Sequence, residues 1–278
     1  MKLRAVLPLV VLSLSACASF GTFAGQEGGE VQFGSDADEN MRKGDEAMNA
    51  KNYAEAASYF EFVKTKYPYL ETAKLAELRL ADSDYERDRF VEARDRYANF
   101  VRLHPTHARV DYAAFRAALT HYKEIPSDFF LLPPASEKDQ VEVRNALTAM
   151  TEFMRNHPES EFIAEAKKVL DEVKLRLAEH EMYVAEFYAH RDRWPAVVTR
   201  LSVVAKDYSG IGLDERVSFG LYDAYLKLND PSNAKAALQR YVDNFPAEPA
   251  AKKAIKLIAS LPSTPAPTAP NVGVDAGT

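Results

Sequence analysis

The chain has 278 residues, 47% of them apolar and 11% aromatic, enough to bury a sizeable core. Its 35 basic side chains are outnumbered by 41 acidic ones, for a net charge of −6, with the signs interspersed rather than gathered in blocks. That balance excludes a polyanion-binding surface, so nucleic acid is not expected as a partner, and the scarcity of glycine (11 residues) with no sustained polar–apolar alternation argues against a sheet.

The N-terminus carries Lys2 and Arg4 ahead of an apolar run from Ala5 to Leu14, the charged and hydrophobic regions of a signal peptide. The run is roughly half the ~20 apolar residues that a membrane-crossing helix requires. Leu14-Ser15-Ala16-Cys17 comes next and resembles the bacterial lipobox, in which cleavage before the cysteine leaves a residue bearing S-diacylglycerol and N-palmitoyl chains. Cys17 is the only cysteine, so no internal disulfide can form and acyl attachment is the use that fits it. Such chains exceed the two lipid signals that stable anchoring takes. Residues 1–16 are therefore expected to be removed as a lipoprotein signal peptide. Losing Lys2 and Arg4 leaves 33 basic against 41 acidic residues, a net charge of −8. Ala18 after the cysteine resembles an outer-membrane address, which places the protein on the periplasmic face of a Gram-negative outer membrane. Residues 17–38 are Gly-rich and aperiodic and read as a lipidated flexible tether.

From residue 39 to 261 the chain repeats itself. Gly44, Ala56, Phe60 and Pro68 stand at offsets of 12, 4 and 8, and Ala81, Ala93, Tyr97 and Pro105 repeat those offsets 37 residues later. Ala146, Met150 and Pro158 give the second half again, as do Ala234, Leu238 and Pro246. Ala185, Val197, Leu201 and Ser209 keep the spacing with serine in place of the closing proline. These offsets resemble the tetratricopeptide repeat: a small residue on helix A, alanine and a large apolar residue on helix B, then a proline that stops it. The predicted fold is all-α, a right-handed α-α superhelix of five tetratricopeptide-like repeats over about 39–70, 71–108, 109–159, 160–212 and 213–261. Tyr53, Phe90 and Trp194 share one repeat position before helix B. The Pro/Ala/Thr-rich stretch 262–278 is expected to be a disordered tail.

Two units are long. The third has 16 extra residues, about 124–139, in which prolines surround Phe129-Phe130-Leu131-Leu132 and Ser136 is a candidate helix cap. That apolar loop either folds back on the solenoid or docks a partner. The fourth predicts a helix from about Glu161 to His190, capped by Ser160. Trp194-Pro195 and Asp230-Pro231 put proline in a first helical turn, where its missing amide is harmless.

Catalytic and metal-binding patterns are missing. The six histidines form no HExxH and no pair at i, i+4, so no metal site or cofactor is predicted, and there is no G-x-S-x-G or P-loop. Glu159-Ser160 resembles the Glu-Ser pair of lytic transglycosylases, but it sits at a repeat junction and no lysozyme-like sequence follows. What remains is surface. Arg191 and Arg200 flank the Trp194-Pro195 turn, and arginine forks pair with carboxylates at interfaces.

At this point several segments resemble the BamD (YfiO) family. They are Tyr53-Ala54-Glu55-Ala56-Ala57 through Tyr67-Pro68-Tyr69, Leu103-His104-Pro105-Thr106-His107 with Val110-Asp111-Tyr112, and Tyr183-Val184-Ala185-Glu186-Phe187-Tyr188 with Arg191, Trp194, Ala196-Val197-Val198 and Arg200. The resemblance implies a non-enzymatic outer-membrane lipoprotein of the β-barrel assembly machinery, with five such repeats. Its implied partners are a POTRA domain of the barrel subunit BamA, other Bam lipoproteins and unfolded barrel precursors. It implies that Arg191 and Arg200 face the POTRA domain and that Tyr67, Tyr69 and Tyr85 receive precursor strands, with Tyr53 and Tyr97 at core positions. Two alternatives stay open on the residues themselves: a tetratricopeptide lipoprotein scaffolding cell-division or pilus-secretin assembly, and a fragment of a lytic transglycosylase.

Overall fold

The computed structural model describes residues 31–126 and 139–261. The signal peptide, Cys17, the tether up to residue 30, segment 129–132 with Ser136, and the tail 262–278 lie outside the described residues. The chain divides into Met1–Gln32 and Phe33–Thr278, and the description that follows concerns the second unit.

Every regular element among the described residues is an α-helix: α1 (Ala37–Asn49), α2 (Tyr53–Lys66), α3 (Glu71–Glu86), α4 (Phe90–Leu103), α5 (Val110–Glu124), α6 (Val141–Asn156), α7 (Ile163–Ala189), α8 (Trp194–Asp207), α9 (Asp214–Lys227), α10 (Pro231–Asn244) and α11 (Pro249–Ser260). Each packs on its neighbours in sequence, and α1 also reaches α3 while α5 reaches α7. That pattern is a solenoid of hairpins, as the repeat spacing predicts, with odd-numbered helices as A and even-numbered ones as B through α10; α11 closes the stack on α10.

The repeat positions form the core. Ala56 and Phe60, Ala93 and Tyr97, Ala146 and Met150, and Ala234 and Leu238 are all 0% exposed, and burying a side chain the size of Phe60 contributes ~1.5–3 kcal/mol. Gly44 is small for a specific reason: a Cβ there would stand 2.4 Å from Cε1 of Phe60. The helices cross at a distance that only hydrogen fills.

The connections obey two local rules. At the A-to-B turns, Lys51, Asp88, Asp192 and Asn229 take φ of 54–61°, a left-handed conformation that asparagine and aspartate tolerate better than most residues. Each is followed by an amide that reaches back five residues: Asn52 to Ala47, Arg89 to Asp84, Arg193 to Tyr188 and Asp230 to Tyr225, at 2.8–3.0 Å, the bond that closes a Schellman turn. At the B-to-A turns, every B helix ends on an aromatic or histidine: Tyr67, His104, His157, Tyr208 and Phe245, with φ between −126° and −131°. Four of the five precede proline, which pushes its predecessor out of helical space. Tyr208 holds the same shape before Ser209.

Two expectations are adjusted, and a further contact holds the start of α6. Residues 33–38, expected as tether, join the packed unit: the Phe33 ring stacks on Phe62 at 4.2 Å, and the fully buried Asn40 side chain accepts from the Gly34 amide at 2.8 Å. Ser160 is not the first cap of α7, which starts at Ile163; its hydroxyl instead accepts from the Phe162 amide and donates to Asp111 at 2.7 Å, joining α7's entry to α5. The N-terminal end of α6 is held by Asp139, whose carboxylate accepts the Val141 amide at 3.0 Å.

The long helix α7 belongs to two cores. Ala166, Val169, Leu170, Val173 and Leu177 pack with α3 to α6, and Ala178, Met182 and Ala185 pack with α8 to α10.

Candidate functional site

The A helices of the first three repeats line an open groove, formed by Asp45, Met48 and Asn49 of α1, Arg79, Asp82 and Glu86 of α3, Tyr112 and Arg116 of α5, and Tyr53 at the start of α2. Its floor is the buried Asp82 carboxylate, which accepts from the Tyr97 hydroxyl at 2.6 Å and the Tyr112 hydroxyl at 2.8 Å. Arg79 bridges α1 and α3 through Asp45 at 3.1 Å and Asp82 at 3.3 Å. The Arg116 guanidinium lies 3.7 Å from the centre of the Tyr85 ring, donates to the Tyr97 oxygen and pairs with Glu86 at 3.3 Å. Burial, followed by the nearby Asp82 charge, holds the Tyr97 and Tyr112 phenols above their ordinary range, and burial pushes Tyr85 up to about 12. All three phenols therefore stay neutral hydrogen-bond donors at physiological pH. The groove offers aromatic and thioether walls with hydrogen-bonding groups spaced along them, suited to an extended polypeptide.

These groove residues were not among the sequence-predicted sites, yet they carry a signal. Arg42, Arg79 and Arg116 are spaced by 37, as are Asp45 and Asp82, and Asn49 and Glu86. The period that identifies the core also repeats the polar lining.

The predicted client tyrosines do not converge. Tyr69 is 99% exposed on the α2–α3 turn, and neighbouring Tyr67 is half-buried, its hydroxyl donating to the Ser35 carbonyl at 3.2 Å. Tyr85 is only 8% exposed; it packs edge-on against Phe90 and under Arg116, at the opposite end of α3, roughly 20 Å along the helix. Its face is occupied, so it supports the groove wall rather than offering a free contact. Tyr97 is core, while Tyr53 lines the groove.

On the fourth repeat, Arg191 lies over the Phe187 ring at 3.6 Å and donates to the Phe187 carbonyl. Tyr183 and Phe187 on α7 and Arg191 in the turn just after it follow one another at four-residue steps, and both aromatics are exposed. Arg191 is a site residue expected from the sequence, whereas Tyr183 and Phe187 were not named as such; two exposed aromatics one turn apart are the sequence signature. Arg200 instead pairs with Glu181 at 3.0 Å across α7 and α8.

Elsewhere, His104 and His107 act locally, meeting Glu77 at 3.0 Å and Glu71 at 3.1 Å beside the Phe100 ring. His121, Glu124 and Glu142 bring potential ligand atoms within 4.8 Å of one another, but the Arg94 guanidinium contacts both Glu124 and His121 and supplies the counter-charge. Glu159 is exposed at its turn, and Ser160 is engaged by Asp111.

A stack of helix hairpins with small-to-large packing at each crossing and a groove along its A helices defines a tetratricopeptide-type protein, and a tetratricopeptide repeat model matches residues 223–247. The YfiO family model, described as outer membrane lipoprotein, matches residues 35–217, and the chain belongs to that family. Among similar proteins are outer membrane protein assembly factors BamD. That of Neisseria meningitidis serogroup B is 28% identical over 87% of this chain and 91% of its own length. That of Neisseria gonorrhoeae is 27% identical over 86% and 89%, and that of Caulobacter vibrioides 25% identical over 74% and 65%. No helix among the described residues is long and apolar enough to cross a membrane.

Proposed function

We propose that the chain is a non-enzymatic adaptor of outer-membrane β-barrel assembly, working in the Bam complex. Acylated Cys17 anchors it to the periplasmic face of the outer membrane. The groove of α1, α3 and α5 receives unfolded barrel precursors as extended strands, with Tyr67 and Tyr69 on the turn beside its first hairpin. The α7–α8 edge, with Arg191, Phe187 and Arg200, docks on the POTRA domain of BamA, and other Bam lipoproteins complete the assembly. Catalysis is no part of this role: Asp82, Tyr97 and Tyr112 at the groove's floor are paired with one another in a structural network.

The observation that carries the reading is membership of the YfiO family across residues 35–217, joined to relatives named as assembly factors. The geometry adds a groove of the right chemistry and an exposed aromatic–arginine stripe. The test is co-purification of BamA with the lipidated protein from detergent-solubilised envelope. Phe187→Ala and Arg200→Glu are expected to reduce BamA recovery while circular dichroism stays native, and Cys17→Ala to move the secreted protein out of the membrane fraction. Full BamA recovery with both edge variants would refute the placement of that contact.

A further inference from the structure

The groove's charges say what part of a client it reads. A pocket that captures a chain's terminal carboxylate needs cations left without partners, because a bidentate arginine contact is strong only where the guanidinium is not already spent. Here each arginine of the ladder already has a carboxylate partner. Arg42 pairs with Glu46, Arg79 lies between Asp45 and Asp82, and Arg116 pairs with Glu86 while its face is covered by Tyr85. The groove lining itself holds three carboxylates, Asp45, Asp82 and Glu86, against two guanidiniums, Arg79 and Arg116. Asp82 is saturated by two phenols and an arginine. Asp45 and Glu86, by contrast, remain 43% and 40% exposed and have acceptor lone pairs left over after one arginine each. A carboxylate entering between them meets net negative charge, whereas a lysine or arginine side chain meets two open acceptors beside the aromatic wall of Tyr53 and Tyr112.

We propose that the groove recognises a cationic side chain within an extended, aromatic-bearing segment of the client, with Asp45 and Glu86 as the specificity-determining residues, and does not clamp the client's terminal carboxylate. This rests on the role proposed above for the groove. Two consequences separate it from a merely structural role for these acids. Removing a charged partner should weaken the cationic peptide. It should also release an arginine, so that a carboxylate becomes welcome where it was not.

The probe is an N-acetylated ten-residue peptide of alternating aromatic and small polar residues with one central lysine, made as free acid, as C-terminal amide, and as amide with the lysine replaced by glutamate. Binding to the full mature protein in detergent is measured by calorimetry. Amidation is expected to change affinity by less than about twofold, and lysine-to-glutamate replacement to weaken it by about tenfold or more. The double variant Asp45→Asn/Glu86→Gln, checked for native circular dichroism, is expected to bind the lysine peptide several-fold more weakly and to prefer the free acid over the amide. A strong preference of the native protein for the free acid, with no penalty for glutamate, overturns the charge reading and leaves the groove as a client site. Failure of all three peptides to bind overturns the groove as a client site altogether.

Discussion

Gly44→Ala is the most discriminating single-atom test of how the first repeat is built. In an ordinary helix interior this change stabilises by about 1 kcal/mol, because alanine loses less backbone entropy. At this position the new Cβ would stand 2.4, 2.8 and 2.9 Å from three atoms of the Phe60 ring. Phe60 is fully buried among Ala47, Ala56, Val63, Ala76 and Leu80 and has nowhere to retreat. Overpacking of this kind costs ~1–3 kcal/mol, and a contact this short belongs at the upper end. The two effects leave a net loss of about 2 kcal/mol, equivalent to a fall in Tm of roughly 4–8 °C. Thermal melts by circular dichroism measure it, with Phe60→Leu as the partner substitution. Trimming the ring opens the space that alanine needs, so the double variant should lose at least ~1 kcal/mol less than the sum of the singles. The variant also pushes α1 outward at the residue before Asp45, so the pair with Arg79 and the groove's affinity for peptide should weaken with stability. A rise in Tm for Gly44→Ala would mean that helix propensity outweighs the contact, and the close-approach argument would be wrong.

Asp82→Ala leaves the buried Tyr97 hydroxyl without its acceptor and should cost about 3 kcal/mol in urea unfolding, with Asp82→Asn recovering part of it. Burial raises Tyr85, Tyr97 and Tyr112 above the ordinary value of 10, so the folded chain keeps protons that the unfolded one releases. Their stabilisation is complete below pH 10 and is lost as pH climbs towards the folded values, about 12 for Tyr85; absorbance titration of the 14 tyrosines should show a late class that ionises only as ellipticity is lost. Glu179→Pro, at an exposed position in the middle of α7, should cost ~3 kcal/mol and divide one calorimetric transition into two, and a single unshifted transition would refute the shared-core reading of that helix.

The repeat spacing made the fold legible because hairpin packing punishes deviation at a few positions. Ala56 and Ala93 leave no room for a larger residue, and Pro68 and Pro105 end helices that the next hairpin must leave. The groove was harder to see. Tetratricopeptide comparisons weigh small and apolar positions, and the charges of Arg42, Arg79 and Arg116 fall between them although they keep the same 37-residue step. Tyr85 illustrates the opposite error. A tyrosine in an N-terminal repeat resembles a ligand contact, but it stands 37 residues after Met48, and in the second repeat Phe90 and Arg116 close over it. Composition alone does not distinguish the two. Ser160 was a reasonable helix cap by type, yet the Asp111 carboxylate competes for its hydroxyl and the helix starts later.

The third repeat departs from the others in a way that bears on the whole stack. Its A-to-B connection takes residues 125–140, where the other A-to-B connections take three or four residues. The next A helix then runs to 27 residues, about 40 Å, twice the usual length. An ordinary solenoid of short hairpins transmits little between repeats beyond nearest neighbours. A single helix packed into the core around α3 to α6 on its first half, and into that around α8 to α10 on its second, removes the interface at which neighbouring repeats would slip. The exposed Tyr183 and Phe187, with Arg191 just past the helix end, stand on the same continuous helix as Leu170 and Val173, which pack in the core that holds Tyr85 and Tyr97 behind the groove. An adaptor that hands an unfolded chain from one surface to another gains from holding them at a fixed separation. In the role proposed above, the buried side of α7, packed in both cores, is the element that would set that separation.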